Sequence, residues 1–235
     1  MTVVVPVLNE EDFLEETLRS LRHQTFRDFE LIVVDNGSTD ASIDIAQQFA
    51  DRVVIEPQKG YDFALHRGIL EAQSPLIAQA DADTLYPRDW LSKMVRALDN
   101  SGVVCAYGPW AFRENPKWRR HLELSLCWST QLITHLFGFP LATGCNMGFR
   151  REAYFRVGGY PALNHLAGAD TRLGLRLRQV GKVRFVPDMI AYTSNRVVRQ
   201  QGVWRRWALT VRVLVDILMH RDQVTLDQWY DWRRS

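Results

Sequence analysis

Short apolar runs alternate with amphipathic segments through the first hundred residues, and this alternation limits the fold more than any other feature. The first three runs are each followed by a segment with apolar residues at helical spacing. Continuous apolar runs joined by helices are typical of parallel strands that are covered on both faces. The sequence therefore predicts an α/β fold with a mostly parallel sheet flanked by helices. The four runs are residues 3–5, 31–34, 53–55 and 76–78.

Polar residues stand where these predicted strands end. Asn9 and Glu10 follow the first strand, Asp35 ends the second, and Asp81-Ala82-Asp83 ends the fourth. We expect Asn9 or Asp12 to cap the first helix. In sheets of this kind ligands bind outside the carboxyl ends of the strands, so these acids are expected to converge at one edge. Such a gathering is costly unless a cation or hydrogen-bond donors lie among the carboxylates.

The pattern changes after residue 100. It predicts a strand at 103–107, an amphipathic helix at 116–139, a small-residue loop at 144–148, a helix at 170–180 and a short strand at 183–186. No internal repeat or low-complexity linker separates the two parts.

Composition fits a folded globular protein of one or two domains. The chain has 235 residues, of which 46% are hydrophobic and 24% charged, and this excludes a disordered or collagenous protein. Three scattered cysteines are too few for a disulfide framework and favour a reducing compartment. Charge is uneven: residues 1–100 carry nine Lys or Arg against eighteen Asp or Glu, and residues 101–235 carry twenty against nine.

The pair Asp81 and Asp83 is the main chemical clue. Two carboxylates one residue apart can grip Mg²⁺ or Mn²⁺, which prefer oxygen ligands and often share them with a diphosphate. On its own, an Asp-x-Asp is more often a solvated turn than a metal site. No glycine-rich dinucleotide motif follows the first strand and no Walker sequence exists. The remaining interpretation is a nucleoside-diphosphate compound held by Asp35, Asp81 and a metal.

In combination and order, the motifs resemble those of the family 2 glycosyltransferases, which have the GT-A fold. The resemblance covers roughly residues 3–196. It implies inverting transfer of a sugar from a nucleotide-diphosphate donor to an acceptor hydroxyl, with Mn²⁺ or Mg²⁺. Its setting by analogy is polysaccharide, glycolipid or cell-envelope glycan synthesis. The stretches that carry it are 3–11, 29–40, 60–68, 81–83, 144–152, 158–160, 170–176 and 186–188.

The resemblance also implies residue roles. Asp170 matches the general base, and Asp83, together with Asp81, matches the metal ligands. The acceptor side is matched by Gly144 and Asn146, and Trp110 is added as a candidate sugar platform. The donor side comprises Pro6, Val7, Asn9, Glu10, Asp35, Gly60, Asp81 and Ala82.

Three departures from the family pattern alter these expectations. Ala169 stands where an acid often precedes the base. Leu65-His66 replaces an Arg-Asn pair, which makes Arg67 a candidate phosphate contact. Thr193-Ser194 replaces a histidine, which makes Arg196 a candidate diphosphate contact.

Structural interpretations stand beside these functional ones. Asp35 is alternatively a helix cap, Asp170 an acid of a helix's first turn, Asn146 a turn residue and Trp110 a core residue. At the level of the whole protein, the alternatives are a non-catalytic nucleotide- or glycan-binding module of the same fold and a sugar nucleotidyltransferase.

We predict a catalytic domain at 1–196, with a nucleotide-sugar half (1–100) and an acceptor half (101–196). Residues 197–235 form a basic, Trp-rich helical extension that either lies on anionic lipid or packs on the domain. The expected partners are a UDP- or GDP-linked sugar and a sugar or lipid-linked acceptor, not nucleic acid. No signal peptide or membrane-spanning run is recognised, so we expect a cytoplasmic protein, or one peripheral to the cytoplasmic face of the membrane.

Overall fold

A computed structural model describes residues 1–160 and 168–196. The predicted helical extension at 197–235 lies outside the described residues. The strands are β1 (Thr2–Val7), β2 (Glu30–Asp35), β3 (Arg52–Ile55), β4 (Leu76–Gln79), β5 (Val103–Tyr107), β6 (Trp110–Phe112), β7 (Met147–Arg150), β8 (Lys182–Phe185) and β9 (Ala191–Thr193). The helices are α1 (Glu11–Arg22), α2 (Ser42–Phe49), α3 (Tyr61–Glu71), α4 (Trp90–Leu98), α5 (Lys117–Leu136), α6 (Arg151–Arg156) and α7 (Ala169–Val180).

Seven strands form the central sheet in the order β3-β2-β1-β4-β7-β5-β8, and β6 pairs with β9 in a small second sheet. β1 is parallel to β2 and β4, and β3 is parallel to β2. The mostly parallel α/β fold predicted from the sequence is therefore confirmed. β7 is antiparallel to both of its neighbours, β4 and β5.

The loop predicted at 144–148 is wrong over its second part. Gly144–Asn146 forms one 3₁₀ turn, and Met147 then begins β7. Met147 and Phe149 are fully buried in the sheet. Because Gly148 interrupts the apolar residues of β7, the sequence has no continuous apolar run there, and the strand was not predicted.

The sheet is buried on both faces, as the apolar runs predict. Along β1, Val3, Val5 and Val7 pack with α1, α2 and α4, while Val4 packs on the opposite face with α3. Side chains of successive strand residues point to opposite faces, so a strand buried on both sides must be apolar throughout.

The predicted cap of α1 is wrong. Glu10 occupies the N-cap position, and no side chain caps the helix. Asn9 instead has a left-handed backbone (φ 54°), and its Oδ1 accepts the N–H of Thr39 at 2.8 Å. Asn9 thus ties the end of β1 to the loop after β2, and Asp12 lies in the first turn of α1.

Within the described ranges, no helix is both long and apolar enough to cross a bilayer.

We predict that Gly68→Ala is destabilising by about 1–3 kcal/mol, because a methyl group there forces overpacking. A Cβ on Gly68 would lie 2.3 Å from Val4 Cγ1 and 2.9 Å from Val34 Cγ2, at the contact of α3 with the sheet. Urea denaturation measures the change. Gly102→Ala is the control, since its nearest neighbour would be 3.5 Å away. Equal stability losses in the two variants would contradict the packing argument.

Candidate functional site

The turn after β2 is built around Asp35 and Asn36, both buried. The Asp35 carboxylate accepts the N–H groups of Gly37 at 2.9 Å and Ser38 at 3.1 Å. The Asn36 amide donates to Glu56 O and accepts the N–H of Gly60 at 2.7 Å. Asp35 therefore shapes this turn and does not cap α2, which begins later, at Ser42. Gly60 (φ 142°) immediately precedes α3.

The loop after β4 presents Asp81 and Asp83. It is fixed from both sides, because Thr17 Oγ1 donates to Ala82 O at 2.8 Å and Asp81 N–H donates to Tyr86 Oη at 2.9 Å. Burial, reinforced by nearby acids, raises the pKa of Asp81 to about 7. Burial also raises the pKa of Asp83. Ala82 is itself buried and contributes this carbonyl contact.

Arg196 lies between two of the acids at this edge. Its guanidinium pairs with Glu10, and its Nε lies 3.3 Å from Asp83 Oδ2. The same guanidinium stacks over Phe13, 5.2 Å from the ring centroid. Burial raises the pKa of Glu10, and Arg196 acts in the opposite direction. Arg196 therefore supplies the cationic charge that this carboxylate group requires.

The donor set at this edge fits a divalent cation that takes part of its ligand shell from elsewhere. Asp81 and Asp83 provide carboxylate oxygens, and Glu10 Oε2 is buried without a hydrogen-bond partner. No group of three His, Cys, Asp or Glu side chains in the part of the chain that the structure describes could enclose a metal alone. Mg²⁺ characteristically binds one or two carboxylates together with substrate phosphates, and the carboxylates at this edge fit that mode of binding.

Asp170 lies in the first turn of α7 and is held by three donors. Its Oδ1 accepts Tyr160 Oη at 2.6 Å and Gln79 Nε2 at 3.1 Å, and its Oδ2 accepts the N–H of Gly144 at 2.9 Å. Burial raises the pKa of Asp170, while these hydrogen bonds act against the rise. The result is a carboxylate in a fixed orientation and of increased basicity.

A hydrogen-bonded chain joins Asp170 to Asp81. Gln79 Nε2 lies 3.1 Å from Tyr61 Oη, and Tyr61 Oη donates to Asp81 Oδ1 at 2.7 Å. The carboxylates predicted for the metal and for the base are thus connected through two intervening side chains.

Three predicted site residues have other roles in the structure. Arg67 pairs with Glu71 at 2.9 Å, toward the end of α3 remote from this edge, and its contact with phosphate stays a prediction. Pro6 and Val7 lie within β1 and are buried.

Asn146 is fully buried, and its amide is used inside the fold. Its Oδ1 accepts Trp90 Nε1 at 2.7 Å, and its Nδ2 donates to Pro109 O and Met189 O at 2.8 and 2.6 Å. These bonds tie three segments together and leave no side-chain group for an acceptor. Trp110 is half-buried and packs at 5.2 Å, edge to face, on Phe112.

The sequence analysis missed Tyr61, Gln79 and Tyr160 as members of the site. Gln79 had a detectable signal, because it is a polar residue that completes a buried strand. Tyr61 and Tyr160 each directly follow a glycine, in stretches that were considered only for the family resemblance.

A mostly parallel sheet with carboxylates at the carboxyl ends of its strands fits the GT-A fold that the sequence resemblance implies. Residues 2–158 match the model of the family described as glycosyl transferase family 2. The chain belongs to this family, and the family predicted from the sequence is confirmed.

Relatives and a solved structure agree with this assignment. The chain is 33% identical over 177 residues to an uncharacterized glycosyltransferase of Mycobacterium tuberculosis, covering 75% of each chain. It is 36% identical over 168 residues to a PGL/p-HBAD biosynthesis glycosyltransferase of Mycobacterium bovis, covering 68% of this chain and 62% of that one. The fold is similar to that of the mannosyltransferase PcManGT from Pyrobaculum calidifontis, solved with GDP-Man and Mn²⁺ (TM-score 0.66, 23% identity, covering 90% of this chain and 64% of that one).

We predict that Tyr160→Phe raises the pKa of Asp170 further, because the lost hydroxyl stabilises the charged carboxylate. The titration midpoint of the Asp170 carboxyl carbon, followed by NMR and assigned with Asp170→Asn, measures the shift. Tyr107→Phe is the matched control: Tyr107 is also buried, and its hydroxyl lies 3.2 Å from His135 Nδ1. An unchanged midpoint in Tyr160→Phe would show that the hydroxyl does not tune this acid.

Proposed function

We propose that the protein transfers a sugar, with inversion, from a nucleotide-diphosphate donor to an acceptor hydroxyl, assisted by a divalent cation. One observation carries the proposal. Asp81 and Asp83 lie at the same sheet edge as Asp170, and Tyr61 and Gln79 connect the two groups. This arrangement brings carboxylates suited to binding a diphosphate-bound cation close to a carboxylate suited to accepting a proton.

On the donor side, the turn shaped by Asp35 lies beside the ends of β1 and β2 and would receive the nucleoside. Asp83 and Asp81 would hold Mn²⁺ or Mg²⁺, which when bound offsets the charge that develops on the leaving diphosphate. Arg196 is within reach of Asp83 and is suited to the same diphosphate, since a guanidinium binds phosphate oxygens well.

On the acceptor side, Asp170 would take the proton from the attacking hydroxyl. Tyr160, Gln79 and the Gly144 N–H fix the carboxylate without donating it a full proton, so it remains an acceptor. The replacement of the preceding acid by Ala169 leaves this geometry intact, because none of the three donors comes from position 169.

The finer features of the proposal are the donor base, the acceptor and the location. We favour a UDP- or GDP-linked sugar, since proteins of similar fold have been solved with GDP-Man and with UDP-GlcNAc. The acceptor is proposed to be a sugar or a lipid-linked glycan of the cell envelope, as the name of the Mycobacterium bovis relative suggests for that protein. The protein would then work peripherally at the cytoplasmic face of a membrane. We propose residues 1–100 as the donor half and 101–196 as the acceptor half of a domain at 1–196, followed by an extension at 197–235.

Nucleotide binding tests the donor side. We predict that UDP or GDP binds with Mn²⁺ and that Asp83→Ala weakens this binding at least about tenfold, since a cation ligand is lost. Calorimetry with UDP, GDP, CDP and dTDP, each with and without Mn²⁺, measures it. Asp28→Ala, an exposed acid at the opposite edge of the sheet, is the control. If no diphosphate binds, the donor-site proposal fails.

Turnover tests the acceptor side. We predict that Asp170→Asn lowers kcat about 10²- to 10⁴-fold while donor affinity is kept, because the amide cannot accept the proton. Glu152→Gln is the control, since the Glu152 side chain is 82% exposed on α6. Donor release is followed with a panel of acceptors. Nucleotide binding without turnover for any acceptor would favour the non-catalytic module, and an unchanged kcat would remove Asp170 as the base.

A further inference from the structure

α5 has a large apolar surface that the rest of the described fold leaves uncovered. Among the described residues, ten large apolar side chains are exposed, and seven of them lie between positions 118 and 137. Exposure reaches 70% at Trp118, 75% at Leu136 and 81% at Phe137. A concentration of this kind marks an interaction surface more often than isolated exposed apolar residues do.

Most of these exposed residues form one stripe, which we call the α5 stripe. At 100° of rotation per residue, five of them fall within an arc of about 80°. At 1.5 Å per residue, α5 is about 30 Å long, so the stripe runs along most of a rigid rod. The five residues are Trp118, Leu122, Leu126, Ile133 and Leu136.

The opposite side of α5 is already anchored in the fold. Gln131 is 3% exposed, and its Nε2 donates to Leu141 O at 3.0 Å. Glu123 accepts from Asn115 Nδ2 at 2.5 Å, and Leu132 packs on the core. The helix therefore does not depend on the stripe to stay in place, and the stripe is available to another surface.

The charged residues around the stripe indicate what kind of surface it binds. Lys117 and Arg119 lie at its N-terminal end, on either side of Trp118, and both are exposed. Arg119 has only a 3.5 Å surface contact with Glu123. Residues 101–196 as a whole carry thirteen Lys or Arg against five Asp or Glu. An apolar stripe with aromatic and basic residues at its border is complementary to anionic lipid head groups above acyl chains.

We propose that the α5 stripe binds an anionic lipid surface, with α5 lying in the plane of the head groups. Two other occupants could cover the apolar stripe: a second copy of this chain, or residues 197–235. Neither of them accounts for the basic residues at the border of the stripe. A basic border also repels a second copy of itself. Lipid accounts for both the apolar and the cationic parts.

The biological role of this lipid contact rests on the proposed function, whereas the physical argument for the contact does not. Gln131 connects α5 to Leu141, and three residues later Gly144 holds Asp170. The acceptor side of the site is therefore connected to the face of α5 opposite the stripe, and a docked α5 would link it to the lipid surface through this one helix.

Vesicle co-sedimentation of the full chain, without any nucleotide, tests the proposal. We expect binding to phosphatidylcholine vesicles that contain phosphatidylglycerol, and weaker binding to phosphatidylcholine alone or at high salt. The triple variant Leu122→Ser, Leu126→Ser, Ile133→Ser should bind at least about tenfold more weakly, because three inserted side chains are lost. All three are more than half exposed, so the fold should tolerate the changes, and circular dichroism checks this.

Matched controls separate the stripe from general surface effects. Ile55→Ser changes an equally exposed apolar residue (53%) on β3 and should bind vesicles as the unmodified chain does. Lys117→Ala with Arg119→Ala should weaken binding to anionic vesicles about tenfold. Arg156→Ala, which removes a similarly exposed cation (59%) from α6, should not.

Several outcomes would overturn the proposal. No vesicle binding at low salt would do so, as would full binding by the triple variant. Binding lost in Trp204→Ser with Trp207→Ser, but kept in the triple variant, would assign the contact to the extension. A dimer dispersed by the triple variant, without vesicle binding, would assign the stripe to a second copy. Because no donor is present, failure here is distinct from failure of the nucleotide-binding test.

Discussion

The functional edge depends on keeping several carboxylates buried close to one another. Burial and nearby acids raise the pKa of Asp81 to about 7, and burial raises those of Asp83 and Asp170. Asp81 and Asp170 are held by neutral donors, and Asp83 is paired with Arg196. Tyr61 serves Asp81, and Tyr160 and Gln79 serve Asp170. Neutral donors fix the geometry and leave the edge negative overall, which is the condition that a cation and an acceptor proton require.

Most of the fold could be predicted because apolar runs and helical periodicity are local signals. The runs at 31–34 and 76–78 correspond to β2 and β4, and the helix expected at 170–180 corresponds to α7. β7 was missed because its pairing is antiparallel and its four residues include Gly148, whose Cβ would meet Met94 Sδ at 2.2 Å. A strand that forms because it packs closely against its neighbours in the sheet has no hydrophobic periodicity in its own sequence, so the sequence does not predict it.

The site was predictable to the extent that its residues end strands. Asp35, Asp81 and Asp83 were found in this way, since topology alone brings strand ends together. A motif fixes the position of a residue along the chain but not the direction of its side chain, as Arg67 and Asn146 show. Arg67 points along α3 to Glu71, and Asn146 points into the core at Trp90. The partners Gln79 and Tyr160 are 81 residues apart, and no local pattern reports such a contact.

Arg196 balances part of the negative charge at this edge. Its guanidinium lies against Glu10 and Asp83, and both contacts raise its pKa. A cation held at Asp83 would take over part of this balance, so the guanidinium and such a cation would compete for the same carboxylate. Arg196 would then be able to pair with phosphate oxygens of a donor, because a guanidinium binds phosphate well. At the position where the family often has a histidine, Thr193 Oγ1 lies 3.4 Å from Asp83 Oδ1, and the cationic charge comes from Arg196, three residues later.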